Sequence, residues 1–151
     1  MNRAGALFHQ LNIVSGDLAA SVAFYRRLGV DIPEDRIWVT PGGTHHASAQ
    51  AATDQVSLEI DSIAFARIWN AGWHGREDLR GRVVVGMRLP SRAAVNARYA
   101  NLTGAGYRGL HTPHDAFWGA RYAVVEDPDG IAVGLMSPIS PKRRSRPPEV
   151  W

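Results

Sequence analysis

Six histidines are the residues of this chain best suited to acid–base chemistry. Histidine changes its charge near neutral pH, so it can pass a proton without help from a metal. His46 follows the turn sequence PGGT at the start of an extended run, and His111 lies in a later run. A surface or hydrogen-bonded loop position is the commoner role for any one histidine. We therefore single out His46 and His111 only as candidate catalytic bases.

Aromatic side chains form a second candidate set, for ligand binding. They are ordinary packing residues as well, but two of their groups lie in connecting segments, RIWNAGWHG and HDAFWGARY, which commonly carry binding function. An apolar pocket with such rings at its rim suits a flat or aromatic ligand. Arg121 and Asp115 lie close enough in sequence to orient it. The aromatic candidates are Trp38, Trp69, Trp73, Phe117 and Trp118.

An internal repeat indicates which elements hold these residues. The segments DLAASVAFYRRL, from Asp17, and SRAAVNARYANL, from Ser91, are identical at five of twelve positions. Each begins with a residue that can cap a helix and is followed by glycines that can end one. A strand-like run precedes each segment and three follow it. The sequence therefore predicts an α+β fold of two β-α-β-β-β modules.

Charge and composition exclude several classes of function. The chain has 151 residues and a net charge of +3, and the segment from Pro141 to Trp151 alone holds four basic residues and one acidic residue. The rest is neutral overall, so nucleic-acid binding is not expected, and the Pro-rich tail is expected to be solvated and unpacked. With no long apolar run, no signal-like start and no cysteine, we expect no membrane association and a cytoplasmic location.

Two longer stretches make the pattern more specific. LNIVSGDLAASVAFYRRLGV, near the start, and WGARYAVVEDPDGIAVGLMSP, near the end, resemble the glyoxalase/bleomycin-resistance/extradiol-dioxygenase superfamily, also called vicinal oxygen chelate. The resemblance covers residues 7–139, with modules at 7–62 and 82–139, a connector at 63–81 and the tail at 140–151. It implies an open barrel-like cup around a small-molecule pocket, in proteins that are usually homodimers.

The resemblance also implies where a metal would bind. The superfamily's metal enzymes hold a divalent ion with His, Gln and Glu on the first and last strand of each module. The matching positions here are Gln10, Glu59, Val84 and Gly134. Two of them carry no donor atom, whereas a catalytic ion normally takes at least three protein ligands. We expect no metal cofactor, with one divalent ion as the alternative, and we expect Gln10 and Gly134 to border the ligand instead.

Two classes of function remain. The first is a metal-free protein that binds a small molecule, resembling the family members that sequester planar or aromatic antibiotics. The second is a lyase, isomerase or dioxygenase with a non-standard metal site, or with Glu59 paired to His46 or His111 as a metal-free acid–base site. The missing donors favour binding, and they leave open whether the chain is an enzyme.

Overall fold

The computed structural model describes residues 10–50, 55–69 and 83–146 of the chain. The chain divides into two units, Met1–Arg76 and Glu77–Trp151, which we call the first and the second unit. Each unit contains one four-stranded sheet, and in each the first strand of the module pairs in parallel with the last. No helix in these described ranges is long and apolar enough to cross a membrane.

The first unit has the strand order β1-β4-β3-β2. Its strands are β1 (Gln10–Ser15), β2 (Ile37–Thr40), β3 (Gly43–Ser48) and β4 (Ser57–Ser62). Helix α1 (Leu18–Leu28) follows β1 and helix α2 (Ile63–Trp69) follows β4. Buried side chains of α1 pack on one face of the sheet, where Leu58 and Ile60 of β4 are also buried. The other face is free to carry polar groups.

The second unit repeats this order as β5-β8-β7-β6. Its strands are β5 (Val84–Arg88), β6 (Gly109–Asp115), β7 (Arg121–Glu126) and β8 (Ala132–Met136). Helix α3 (Arg92–Gly104) connects β5 to β6 and packs on the sheet, where Val133 and Leu135 are fully buried. Both units therefore have the predicted β-α-β-β-β order, and the α+β class is confirmed.

Capping residues set the ends of the two predicted helices. The Asp17 side chain accepts a hydrogen bond from the Ala20 backbone N–H at 3.0 Å, and Ser91 does the same for Ala94 at 3.1 Å. At the other end of α1, Gly29 has φ 106°, a left-handed conformation that favours glycine. After α3 this conformation falls on Gly106. The caps predicted from the repeat are confirmed.

Helix α2 lies in the segment that the sequence analysis treated only as a connector. It begins directly after β4, and the Ser62 hydroxyl accepts a hydrogen bond from the Phe65 backbone N–H at 3.1 Å. This contact satisfies one of the backbone donors that the first turn of a helix leaves without a partner. The first module therefore continues into a helix that packs on its own sheet.

The hairpin between β7 and β8 forms as its turn sequence predicts. The buried Asp127 carboxylate accepts hydrogen bonds from the backbone N–H groups of Asp129 and Ile131, both at 2.9 Å. Gly130 has φ 83°, and its N–H donates to the Asp127 carbonyl oxygen. This network fixes the register of β8 against β7.

The expectation that the basic tail does not pack is wrong for residues 140–146. The Ser140 N–H donates to the Gly119 carbonyl oxygen at 3.0 Å, and the Ser145 N–H donates to that of Phe117 at 2.9 Å. The tail approaches so closely because Gly119 has no side chain: a Cβ built there would overlap the Ser140 carbonyl oxygen. The basic side chains themselves remain exposed, so their charges stay hydrated.

We predict that Gly119→Ala lowers the free energy of unfolding by about 2 kcal/mol or more, because alanine is strained at φ 96° and collides with the tail backbone. Gly104→Ala is the matched control, since a Cβ there meets nothing within 4 Å. Helix propensity makes this control neutral or up to ~1 kcal/mol more stable. Urea denaturation measures both, and equal midpoints for the two variants would contradict the tail packing.

Candidate functional site

A polar cluster occupies the face of the first unit's sheet that is turned away from α1. Side chains alternate along a strand, so Glu59 and Asp61 point opposite to the buried Leu58 and Ile60. Strand pairing then places Asn12 beside Glu59 and His46 beside Asp61. We call this set the His46 cluster; its members are Gln10, Asn12, His46, Glu59 and Asp61.

Hydrogen bonds connect the cluster from one edge to the other. Gln10 Nε2 donates to Asn12 Oδ1 at 2.7 Å, and Asn12 Nδ2 donates to Asp61 Oδ2 at 2.8 Å. The other Asp61 oxygen lies 2.6 Å from His46 Nδ1, and His46 Nε2 lies 3.2 Å from Glu59 Oε2. Both nitrogens of the imidazole ring therefore face carboxylates.

This geometry limits where protons can be. A neutral imidazole donates from one ring nitrogen only, whereas an imidazolium donates from both. With Nδ1–H donated to Asp61, the contact between Nε2 and Glu59 needs one more proton, carried either by the ring or by the glutamate. His46 and Glu59 are thus close enough for a proton to pass between them, and Asp61 fixes the orientation of the ring.

Burial separates the two carboxylates by role. The Asp61 side chain is 1% exposed, whereas those of Glu59 and His46 are 16% and 30% exposed. Phe65 of α2 packs edge-on against His46 and also against Trp38, with ring centroids 5.9 Å and 5.3 Å apart. Asp61 is therefore a buried anchor, whereas the contact between His46 and Glu59 is partly exposed to molecules outside.

Sequence reasoning found two members of this arrangement and missed others. His46 and Glu59 do lie together, and Gln10 lies at the edge of the same cluster. Asp61 and Asn12 were missed, although each lies two residues beyond a named candidate on the same strand face. Phe65 was missed because α2 was not predicted, and its signal is the capping serine directly before the apolar run IAFARIW.

The second unit carries a cavity of about 450 Å³ on the corresponding face of its sheet. Strands β5 and β8 line one side of the cavity, and the rings of Trp118 and Tyr122 line the other. The lining residues are Val84, Gly86, Met87, Arg88, Trp118, Tyr122, Gly134 and Met136. Two of the predicted ligand-binding residues, Trp118 and Gly134, therefore line a cavity. Val84, one of the four positions that match the superfamily's metal ligands, lines it too.

Gly134 is a glycine because Tyr122 lies over it. A Cβ built on Gly134 would be 2.5 Å from the Tyr122 hydroxyl oxygen and 3.0 Å from its ring. The space that the sequence analysis assigned to a ligand is thus taken by a side chain of the same unit. Gly86, which pairs with Gly134, differs, because a Cβ there would meet nothing within 4 Å. The open part of the cavity is at Gly86.

A row of aromatic rings extends from the cavity across the sheet. Trp118 and Tyr122 have ring centroids 5.4 Å apart, and His114 is 6.0 Å from Tyr122. His111 follows, with its ring 4.1 Å from that of His114. His111 Nδ1 lies 2.9 Å from the Thr112 carbonyl oxygen. The pairing of His111 with Glu59 stays a prediction.

Arg121 and Asp115, predicted to orient a ligand, bind each other. Arg121 Nη1 donates to Asp115 Oδ1 at 2.8 Å, its Nε donates to Asn96, and Arg92 contacts the same aspartate oxygen. The hydrogen bond from Arg121 holds the pKa of Asp115 below its ordinary value of 3.8. This contribution to stability is present above that value and is lost as the pH falls through the lowered pKa.

The remaining aromatic candidates are placed as follows. Phe117 packs edge-on against Trp118 and is 40% exposed. Trp38 is in the first unit, 48% exposed, beside His45 and Phe65. The Trp69 side chain and all of Trp73 lie outside the described residues, so their roles stay predictions. Across the described part of the chain, no three His, Asp or Glu side chains are grouped to hold a metal ion.

The chain belongs to the glyoxalase/bleomycin resistance protein/dioxygenase superfamily, whose sequence profile matches residues 7–135. Its structure is similar to that of a protein of this superfamily from Nocardioides, at 22% identity and a TM-score of 0.67, over 98% of this chain and 91% of that one. No protein of curated function matches the sequence significantly.

Two further solved structures share the fold. Lactoylglutathione lyase from Agrobacterium tumefaciens is 15% identical, with a TM-score of 0.61, over 89% of this chain and 96% of that one. TioX from Micromonospora sp. ML1 is 16% identical, with a TM-score of 0.64, over 87% and 98%. At these identities the likeness establishes the fold and leaves the function to the site.

We predict that Asp61→Asn lowers the free energy of unfolding by ~3 kcal/mol, because it removes a buried anion that accepts from Asn12 and His46. Asp115→Asn is the matched control: this aspartate also receives two side-chain donors but is exposed, so solvent screens the loss. Urea denaturation at pH 7 distinguishes the two. A loss for Asp61→Asn no larger than for Asp115→Asn would contradict its role as the anchor.

Proposed function

We propose that this protein binds a planar or aromatic small molecule in the cavity of its second unit, and that it does so without a metal ion. The observation that carries the proposal is the cavity itself. Its volume of about 450 Å³ falls within the range of ligand pockets, roughly 300–1,000 Å³. Apolar and aromatic side chains make up most of its lining, as is usual for such pockets.

The shape of the lining favours a flat ligand. Two glycines, Gly86 and Gly134, lie side by side in the sheet, and Tyr122 covers only the second. The backbone at Gly86 is thus bare, with Met87 and Trp118 among its neighbours in the lining. A flat ring can lie against bare backbone, whereas a bulky or branched group makes a smaller contact with it.

The donor set supports binding without a metal. Four positions match those at which the superfamily's metal enzymes bind their ion. Two of them, Val84 and Gly134, have no side-chain donor atom. Of the other two, Glu59 contacts His46, and Gln10 donates to Asn12. Sequestering a ligand such as a planar antibiotic requires affinity and no reactive group, so the loss of these donors is compatible with it.

We predict that planar aromatic compounds, with 2-naphthamide as the reference, shift the backbone amide signals of Gly86 and Gly134 in ¹H–¹⁵N spectra. Gly86→Leu should weaken this binding at least about tenfold, because the new side chain fills the open part of the cavity. The amide signals that shift during titration give the affinity for the wild-type protein and for each variant.

Gly104→Leu is the control, since it adds the same side chain at another open glycine, the last residue of α3. It should leave the affinity unchanged. Elemental analysis of the same sample should find less than one Ni, Zn, Fe or Mn per chain. The binding proposal loses its basis if no planar aromatic compound shifts these amide signals. It also loses its basis if both leucine variants weaken the binding equally.

A second candidate function rests on the His46 cluster. In this cluster His46 contacts the partly exposed Glu59, and buried Asp61 holds the His46 ring in place. A metal-free acid–base catalyst needs such an arrangement. The superfamily position of Glu59 is then used for proton transfer instead of metal binding. Such a site suits a lyase or isomerase, because both can proceed by moving a proton at the carbon next to a carbonyl group.

For this candidate we predict that the protein accelerates hydrogen–deuterium exchange at the C–H bonds next to the carbonyl of pyruvate or dihydroxyacetone in D₂O, followed by ¹H NMR. His46→Gln and Glu59→Gln should abolish the acceleration. His45→Gln should retain it, because the His45 ring contacts the Thr40 hydroxyl and no carboxylate in the described part of the unit. Equal exchange rates with wild-type protein and His46→Gln would count against catalysis at this cluster.

A further inference from the structure

Among the described residues that line the cavity, Arg88 alone is charged. It is the last residue of β5 and lies two positions after Gly86. Because strand side chains alternate, Arg88 and the open face of Gly86 are on the same side of the sheet, about 7 Å apart along the strand. A cationic group therefore stands at one end of an otherwise apolar cavity.

Some arginines of the second unit have acceptors within it, whereas Arg88 has none among the described residues. Arg92 and Arg121 both contact Asp115, and Arg108 lies 3.9 Å from Glu126. No hydrogen bond or ion pair to Arg88 occurs within residues 10–50, 55–69 and 83–146. Its guanidinium group is thus available to an acceptor from outside the chain.

We infer that the ligand is an aromatic anion, with its ring over Gly86 and a carboxylate on Arg88. This inference deepens the proposed binding function and rests on it. Arg88 is exposed, so its guanidinium keeps its hydrogen bonds to water when a neutral ligand fills the cavity, and its charge adds nothing to the binding. A carboxylate replaces them with two parallel charge-assisted bonds, for which the planar guanidinium is well shaped.

The separation along the strand also fits this class of ligand. A carboxylate attached directly to a ring system of two fused rings lies within several ångströms of the centre of the far ring. With the far ring over Gly86, the carboxylate falls near the end of β5, where Arg88 begins. Trp118 and Tyr122 line the same cavity and provide apolar contact for the ring.

The test compares 2-naphthoate with 2-naphthamide, two ligands with the same ring that differ in charge. Isothermal titration calorimetry should show that wild-type protein binds the carboxylate about tenfold more tightly than the amide. Arg88→Gln should remove this preference, so that the two compounds bind with equal affinity. Arg108→Gln removes a positive charge from the same unit outside the cavity lining, and it should keep the preference.

The outcomes separate this inference from the function on which it rests. If the amide binds and the carboxylate binds no more tightly, or if the preference survives in Arg88→Gln, the assignment of Arg88 is overturned and binding in the cavity stands. If neither compound binds, the binding function fails and the inference fails with it. Amide spectra of Arg88→Gln that match wild type outside the cavity show that the variant is folded.

Discussion

Parallel pairing of the first and last strand of each module determines which side chains share a face, and both candidate sites depend on it. In the first unit this pairing sets Asn12 beside Glu59, and in the second it sets Gly86 beside Gly134. Because side chains alternate, the neighbouring positions, such as Ile60 and Leu135, are committed to the core under the helix. A shift of one residue would exchange core and site in either unit.

The two modules use the same backbone for opposite chemistry. His46 on β3 pairs with Asp61 of β4, and its counterpart Tyr122 on β7 pairs with Met136 of β8. One face therefore carries a hydrogen-bonded network with a buried carboxylate, and the other carries an apolar cavity covered by aromatic rings.

The second unit also shows how a charge can be either structural or available. Arg121 and Arg92 converge on Asp115 and hold β6 against β7 and α3. Both guanidinium groups bind the same exposed carboxylate, so each already has a partner within the unit. Arg88 lies on the cavity side of the sheet, with no acceptor in the described part of the unit.

The sequence by itself determined the local elements, because caps, turn residues and strand alternation act over a few neighbouring positions. It predicted the two modules and the ends of α1 and α3, and it offered Glu59 with either His46 or His111 as an acid–base pair. Only tertiary structure decided that Tyr122 fills the space over Gly134, that Arg121 is bound to Asp115 whereas Arg88 is not, and that the tail packs on Gly119. These outcomes depend on which side chains and backbone groups meet once the sheet has formed, and residue types and spacing do not encode such contacts directly.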